Sequence, residues 1–279
     1  MPVKNADALL AAEVLTFVRE KLNLKLKLSN ASELNRMASL LYEFKHLFKD
    51  ESGEFPHVMR IQTRGDPIAR NQHIIPLKHQ GLVDAEIQDM ITRGVVEECP
   101  DGRKWRTPLL TVTKVDGSIC VCCNFERTLN LRLCDEEVYS QKPADELFAS
   151  IRPGSKYYAS MDLKKGYWQL VLHPDDRHKT CFQWEGKLHQ FCRLPFGLRT
   201  AGGLFCKAIS NALCSVDFDG SSTLVYLDDI TVLNANFEKY LDAIHKVFES
   251  LSKFNLKLSA KKCSFLVKSA KFHTASVWA

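Results

Sequence analysis

Apolar residues recur at helical spacing along this chain, and stretches of strand-like alternation separate them. Leu9, Leu10, Val14, Phe17 and Val18 share one face of a helix predicted over residues 6–20. Residues 22–28 alternate leucine with asparagine or lysine, which predicts a half-buried strand. Asn30 followed by Glu33 reads as a capping box opening a helix that presents Leu34, Met37, Leu41, Phe44 and Phe48. Residues 50–82 carry Gly53, Pro56, Gly65, Pro67 and Pro76 among polar residues and predict an extended arm. A helix with Val83, Ile87, Ile91 and Val95 on one face follows, then two strand-like runs around Asp116-Gly117, a hairpin signal. Past Pro143 a short helix is expected over 143–149. The β-prone run YYASMD ends on Asp162, and a hairpin turns near Glu185-Gly186. Leu204, Phe205, Ala208, Ile209 and Ala212 mark a helical face. So do Phe237, Leu241, Ile244, Phe248 and Leu251, with an Asp242–Lys246 pair at i,i+4 on the same helix. The final stretch, NLKLSAKKCSFLVKSAKF, reads as short strands.

The pattern breaks most sharply in STLVYLDDITVL, residues 222–233. Apolar residues run up to Asp228-Asp229 and resume directly after, which predicts a hairpin with both carboxylates at its tip. One reading is a solvated Asp-Asp turn. The other is a functional site, since like charges held close need a compensating cation, and magnesium suits bare carboxylates.

The composition, 45% hydrophobic and 25% charged, allows a sizeable core over one large or two small domains. A net charge of +5 is compatible with a nucleic-acid partner. No apolar run approaches the roughly 18 residues of a membrane span, so no membrane partner is expected. The ten cysteines lack paired zinc-ligand spacing, and no secretory signal precedes them. They are expected to be reduced thiols in an intracellular protein.

Five segments taken in order carry a family resemblance: GVVEECPDGRKWRTPLLTVTKVDGS, YYASMDLKKGYWQL, RLPFGLRTAGGLF, VYLDDI and NLKLSAKKCSFLVKSAKF. Together the chain resembles the reverse transcriptase domain of gypsy-type long-terminal-repeat retrotransposons, in a truncated and partly degenerate copy. The resemblance implies an α+β, right-hand polymerase fold: fingers and a palm whose antiparallel sheet is backed by helices, with the thumb absent. The expected division is an N-terminal extension over 1–50, a connecting arm over 51–82, and fingers and palm over 83–279. It implies RNA-directed DNA polymerase activity, with a template–primer of RNA or DNA and a dNTP as partners. Protease, ribonuclease H and integrase of the retroelement polyprotein are expected to be missing from this chain.

By the same resemblance, Asp162 and Asp228 would ligate two Mg2+ ions, with Mn2+ as an alternative. Asp229 would complete the catalytic set, and the Leu163 carbonyl would add a ligand. Tyr167 would sit under the sugar and reject a 2′-hydroxyl. Phe196, Gly197 and Tyr226 would line the nucleotide pocket, Lys114 would reach the triphosphate, and Lys262 would lie near the leaving phosphate, with Lys261 competing for that register. Trp105 and Arg106 match a template-contacting segment loosely. Cys120 departs from the family, which has an arginine clamp there. A thiol cannot make bidentate charge-assisted bonds, a loss of roughly 2–4 kcal/mol. Gly202 stands where the family usually has an Ala-Pro step, Cys206 replaces a usual glutamine, and the end reads HTASVWA in place of a Leu-Gly turn. The alternative expectation is therefore a catalytically weak or inactive remnant that binds nucleic acid.

Overall fold

The computed structural model describes residues 13–22, 24–26, 30–72, 74–100, 104–113, 119–134, 154–213, 222–226, 229–267, 269–272 and 275–278. The strands, in chain order, are β1 (Lys25–Leu26), β2 (Val96–Glu98), β3 (Leu109–Thr113), β4 (Ile119–Cys123), β5 (Tyr157–Asp162) and β6 (Phe182–Trp184). They continue with β7 (Lys187–Phe191), β8 (Ser222–Tyr226), β9 (Asp229–Asn234), β10 (Ser264–Val267), β11 (Ser269–Phe272) and β12 (Ala275–Trp278). The longer helices are α1 (Ala31–Glu43), α2 (Leu77–Thr92), α3 (Ala201–Leu213) and α4 (Phe237–Lys253). The chain divides into two compact units. One comprises Met1–Glu51, Gln141–Lys165 and Cys206–Ala279; the other comprises Ser52–Ser140 and Gly166–Phe205.

The first unit is built on a five-stranded sheet in the order β1-β10-β5-β9-β8. All its pairings are antiparallel except that of β1 with β10. Strand β9 is buried from Ile230 to Asn234, as a strand covered on both faces must be. Helix α4 is N-capped by Asn236, whose side chain accepts from the amides of Glu238 (2.9 Å) and Lys239 (3.2 Å). It buries Tyr240, Ile244, Val247, Phe248 and Leu251. Phe248 meets Phe44, Phe48 and Phe265 at ring-centroid distances of 5.4, 6.0 and 6.0 Å, joining the helical layer to β10. The predicted Asp242–Lys246 pair forms at 2.8 Å. In α1, Asn30 accepts from Ser32 (3.0 Å) and Glu33 (3.4 Å), the forward half of the expected capping box. The Glu33 carboxylate instead accepts from the Tyr157 hydroxyl at 2.9 Å, which ties α1 to β5.

Strand β10 carries a bulge: its register with β5 shifts between Ser264 and Val267, and Leu266 adopts φ +54°. The bulge is fixed by one side chain. The Leu266 amide donates to the Tyr240 hydroxyl at 3.0 Å, and that hydroxyl donates to the Tyr158 carbonyl at 3.1 Å.

The second unit holds the sheet β2-β7-β6 and the hairpin β3-β4. The β6–β7 hairpin turns at Glu185-Gly186, as predicted, with positive φ at both residues (+46° and +78°). Helix α2 begins at Leu77, inside the stretch expected to be an arm, and ends at Thr92, so that Val95 is buried beyond it. Residues 51–72 and 74–76 hold no helix, and make isolated bridges such as Met59 to Leu172 and Ala69 to Arg106. Buried Asp176 anchors part of this run, accepting from the Ile61 amide (3.1 Å), Arg60 Nε (3.0 Å) and Lys179 Nζ (2.7 Å). The helix expected over 143–149 lies outside the described residues; of the one expected over 6–20, residues 6–12 lie outside them and residues 13–20 are helical, closing in a π-turn over Phe17–Lys21. Of the strand expected over 22–28, Lys25–Leu26 is observed. Among the described residues, no helix is long and apolar enough to cross a membrane.

Candidate active site

In the first unit β5 lies between β10 and β9, and it ends on a carboxylate. The β5–β9 register pairs Met161 with Ile230 and Asp162 with Asp229. Residues directly opposite on neighbouring strands project to the same face with Cβ atoms about 4.5–5.5 Å apart, and like charges so placed repel. Tyr226 pairs with Asp229 across β8–β9. Leu227 and Asp228, between those two residues in sequence, lie outside the described set, as does the Tyr226 side chain.

A cation answers the repulsion. Lys262 Nζ lies 3.0 Å from Asp162 Oδ2. The backbone explains why: the Ser259 amide donates to the Asp162 carbonyl (2.8 Å), and the Lys262 amide donates to the Ser259 carbonyl (2.9 Å). The end of β5 thus holds the turn whose lysine reaches back to its carboxylate. Of the two adjacent lysines, both exposed, Lys262 makes this contact. The pair is lopsided: the Asp162 side chain is 12% exposed and that of Lys262 64%, so water screens the lysine end. Beneath them the Cys263 thiol is fully buried, and burial pushes it up to about 12. A hydrogen bond with the Asp162 backbone opposes that rise, and negative charge on Asp162 and Asp229 adds to it.

Leu163 is buried and forms an isolated bridge with Leu258. The bridge's hydrogen bonds run from Ser259 to the Asp162 carbonyl and from Lys164 to the Lys257 carbonyl, so neither uses the Leu163 carbonyl. The side chains suit a hard divalent cation: two carboxylates on residues paired across neighbouring strands, one of them largely buried. Among the described residues no third histidine, cysteine or acidic side chain joins them.

The second unit gathers another group of expected site residues. Tyr167 packs against Phe196 (5.0 Å between ring centroids) and Phe205 (5.3 Å), and Phe196 remains 38% exposed. Gly197 has φ +91°, and a Cβ there would stand 2.9 Å from the Cys123 carbonyl oxygen, so the turn requires glycine on both counts. Asn130, which sequence reasoning did not single out, clamps this turn. Its Nδ2 donates to the Gly197 carbonyl and its Oδ1 accepts from the Arg199 amide, each at 3.0 Å. An asparagine inside TLNL carries no local signal of that role. Cys120 sits on β4, half-buried, its sulfur 3.5 Å from that of Cys122. Lys114 lies outside the described residues. Trp105 is 4% exposed and belongs to the core, while Arg106 donates to the Arg70 carbonyl (3.2 Å) and Asn71 Oδ1 (2.7 Å), bracing the extended segment.

The chain is 27% identical over 252 residues to the retrovirus-related Pol polyprotein from transposon 297 of Drosophila melanogaster, which covers 87% of this chain and 23% of that protein. It is 27% identical over 278 residues to that from transposon opus of the same organism, covering 96% of this chain and 26% of the relative. It thus spans about a quarter of the length of these curated relatives. Among solved structures, the foamy viral protease–reverse transcriptase in complex with dsDNA superposes with a TM-score of 0.82 at 24% identity. That match covers 100% of this chain and 55% of the solved one. At that identity the likeness speaks to fold, and the fold is that of polymerase fingers and palm. The family described as "Reverse transcriptase (RNA-dependent DNA polymerase)" matches residues 124–276, more than half the chain, and to that family this protein belongs.

Proposed function

We propose that this chain is an RNA-directed DNA polymerase domain that joins a dNTP to a primer 3′-hydroxyl on a nucleic-acid template. The observation carrying the proposal is the cross-strand pairing of Asp162 with Asp229. Phosphoryl transfer asks the protein chiefly for positioning and charge stabilisation, and facing carboxylates are a cation platform for both. Asp162 and Asp229, with Asp228 and the Leu163 carbonyl, would hold two Mg2+ ions, or Mn2+ ions. Bound there, such ions would acidify the attacking hydroxyl and neutralise charge on the leaving pyrophosphate. Lys262 balances Asp162 and presents an exposed ammonium suited to a phosphate. Tyr167, backed by Phe196 and Phe205, offers a rigid aromatic surface for a deoxyribose, and Lys114 a point charge for the triphosphate. The partners are a template–primer and a dNTP. The foamy viral relative was solved with dsDNA and with an RNA/DNA hybrid.

One observation favours a second reading, a weak or inactive domain that only binds nucleic acid. Cys120 turns toward Cys122 on β4, and a thiol there offers no bidentate donor for a triphosphate. Primer extension separates the two. On oligo-dT annealed to poly-rA with Mg2+, the polymerase reading expects dTTP incorporation that Asp228→Asn abolishes and Cys120→Arg raises. Salt-sensitive binding without incorporation, unrescued by Cys120→Arg, would refute it.

A further inference from the structure

The hairpin β3-β4 shows two faces. Ile119, Val121 and Cys123 of β4 are buried, whereas Cys120 and Cys122 lie on the opposite face and are half-buried. Their cross-strand partners are aliphatic: Val112 opposite Cys120 and Leu110 opposite Cys122, 56% and 41% exposed. The two sulfurs lie 3.5 Å apart. We propose that Cys120 and Cys122 form a dithiol site that captures a thiophilic metal or metalloid centre through both sulfurs. Two thiolates on one tetrahedral centre, with bonds of about 2.3 Å, sit about 3.8 Å apart, so these side chains need shift only a few tenths of an ångström. Thiolates select such soft centres over magnesium or calcium.

A direct disulfide is the poorer outcome. Residues two apart on an extended strand have Cα atoms about 6.6–6.8 Å apart, at the upper limit of disulfide geometry. An inserted atom spans that gap where an S–S bond would strain it. The other thiols of this unit are less suited: Cys99, hydrogen-bonded to Cys181, is buried together with it, which closes that second thiol pair to a bulky arsenical. Burial first, then neighbouring groups, pushes Cys181 and Cys192 up to about 12, and Cys123 well above the usual thiol range. Cys134 is half-buried but is on neither strand of the hairpin.

Phenylarsine oxide is the direct probe. Two S–H bonds and the As=O bond break, two As–S bonds form, and the oxygen leaves as water with both thiol protons. Arsenic stays trivalent, and no oxidant or reductant is consumed. The inference does not depend on polymerase activity, because the readout is intact mass. The expected result is one arsenical per folded chain, mapped to the peptide containing residues 119–123. Cys120→Ser, Cys122→Ser and the strand-compatible Cys120→Val should each lose it, and Cys134→Ser should keep it. Far-UV circular dichroism matching the unsubstituted chain qualifies each variant. Absence of an adduct on the folded chain, its persistence in the Cys120 and Cys122 variants, or its mapping to another peptide would overturn the proposal.

Discussion

Tyr240→Phe isolates a single hydroxyl at the point where α4 holds the central sheet. The ring is fully buried and packs against Tyr157 (5.7 Å between centroids) and Phe237 (6.5 Å), contacts a phenylalanine preserves. What disappears is a bridge: a bond donated to the Tyr158 carbonyl at 3.1 Å and one accepted from the Leu266 amide at 3.0 Å. A typical hydrogen bond contributes about 1 kcal/mol net, and a buried donor left unsatisfied costs about 1–3 kcal/mol more, so the substitution should cost about 2–4 kcal/mol. Because Leu266 sits in the β10 bulge at φ +54°, its amide cannot slip into the ordinary ladder to recover a partner. In urea, monitored by far-UV circular dichroism, the midpoint should fall by about 1–2 M with an unchanged slope. Tyr158→Phe is the internal comparison. That hydroxyl donates one bond, to the Ser155 carbonyl at 3.1 Å, and its loss should cost only about 1 kcal/mol. If Tyr240→Phe shifted stability by less than about 0.5 kcal/mol, the hydroxyl would not be the staple described above.

Gly197→Ala combines a positive φ with a Cβ 2.9 Å from the Cys123 carbonyl, and should destabilise by about 2–3 kcal/mol in the same urea assay. Gly202→Ala should do the reverse. The nearest atom to an added Cβ outside its own helix is the Tyr167 hydroxyl at 3.7 Å, so the helix-propensity gain of about 0.5–1 kcal/mol should appear as a higher midpoint. His46, hydrogen-bonded to Ser252 Oγ at 2.7 Å, titrates below its ordinary 6.5 because burial, then the charges of Lys257 and Lys49, disfavour its protonated form. The unfolded chain therefore binds the proton first. The contribution is full above 6.5 and is lost as pH falls toward the folded value. Stability measured between about pH 7 and 5 should decline, and His46→Gln should flatten that decline; an unchanged slope would contradict the assignment.

The parts legible in the sequence are those governed by local periodicity. The α4 face, the Glu185-Gly186 turn and the strand ending on Asp162 follow from spacing and turn chemistry alone, and the structure has them where expected, except that Tyr240 and not Leu241 is buried on α4. Helix α2 was harder to delimit because its first turns break the pattern. Leu77 and Leu82 are 83% and 46% exposed, and Gly81 sits inside the helix, so apolar residues there do not mark the buried face. Long-range choices leave no local trace. That Asp162 stands opposite Asp229 is a matter of register between strands far apart in sequence. That Asn130 clamps the Gly197 turn, or that Asp176 gathers Arg60, Ile61 and Lys179, depends equally on tertiary approach. The Cys120–Cys122 contact was half legible: alternation puts both on one face, but only the strand pairing supplies the apolar neighbours.

The proposed polymerase function rests on Asp162 and Asp229 acting together on divalent cations. Mn2+ titration followed by electron paramagnetic resonance addresses that without requiring turnover. The unsubstituted chain should bind Mn2+, and Asp162→Asn and Asp229→Asn should each weaken binding by about tenfold or more while leaving the circular dichroism spectrum intact. Equal Mn2+ affinity in the two variants and the unsubstituted chain would mean that the facing carboxylates are not a metal centre.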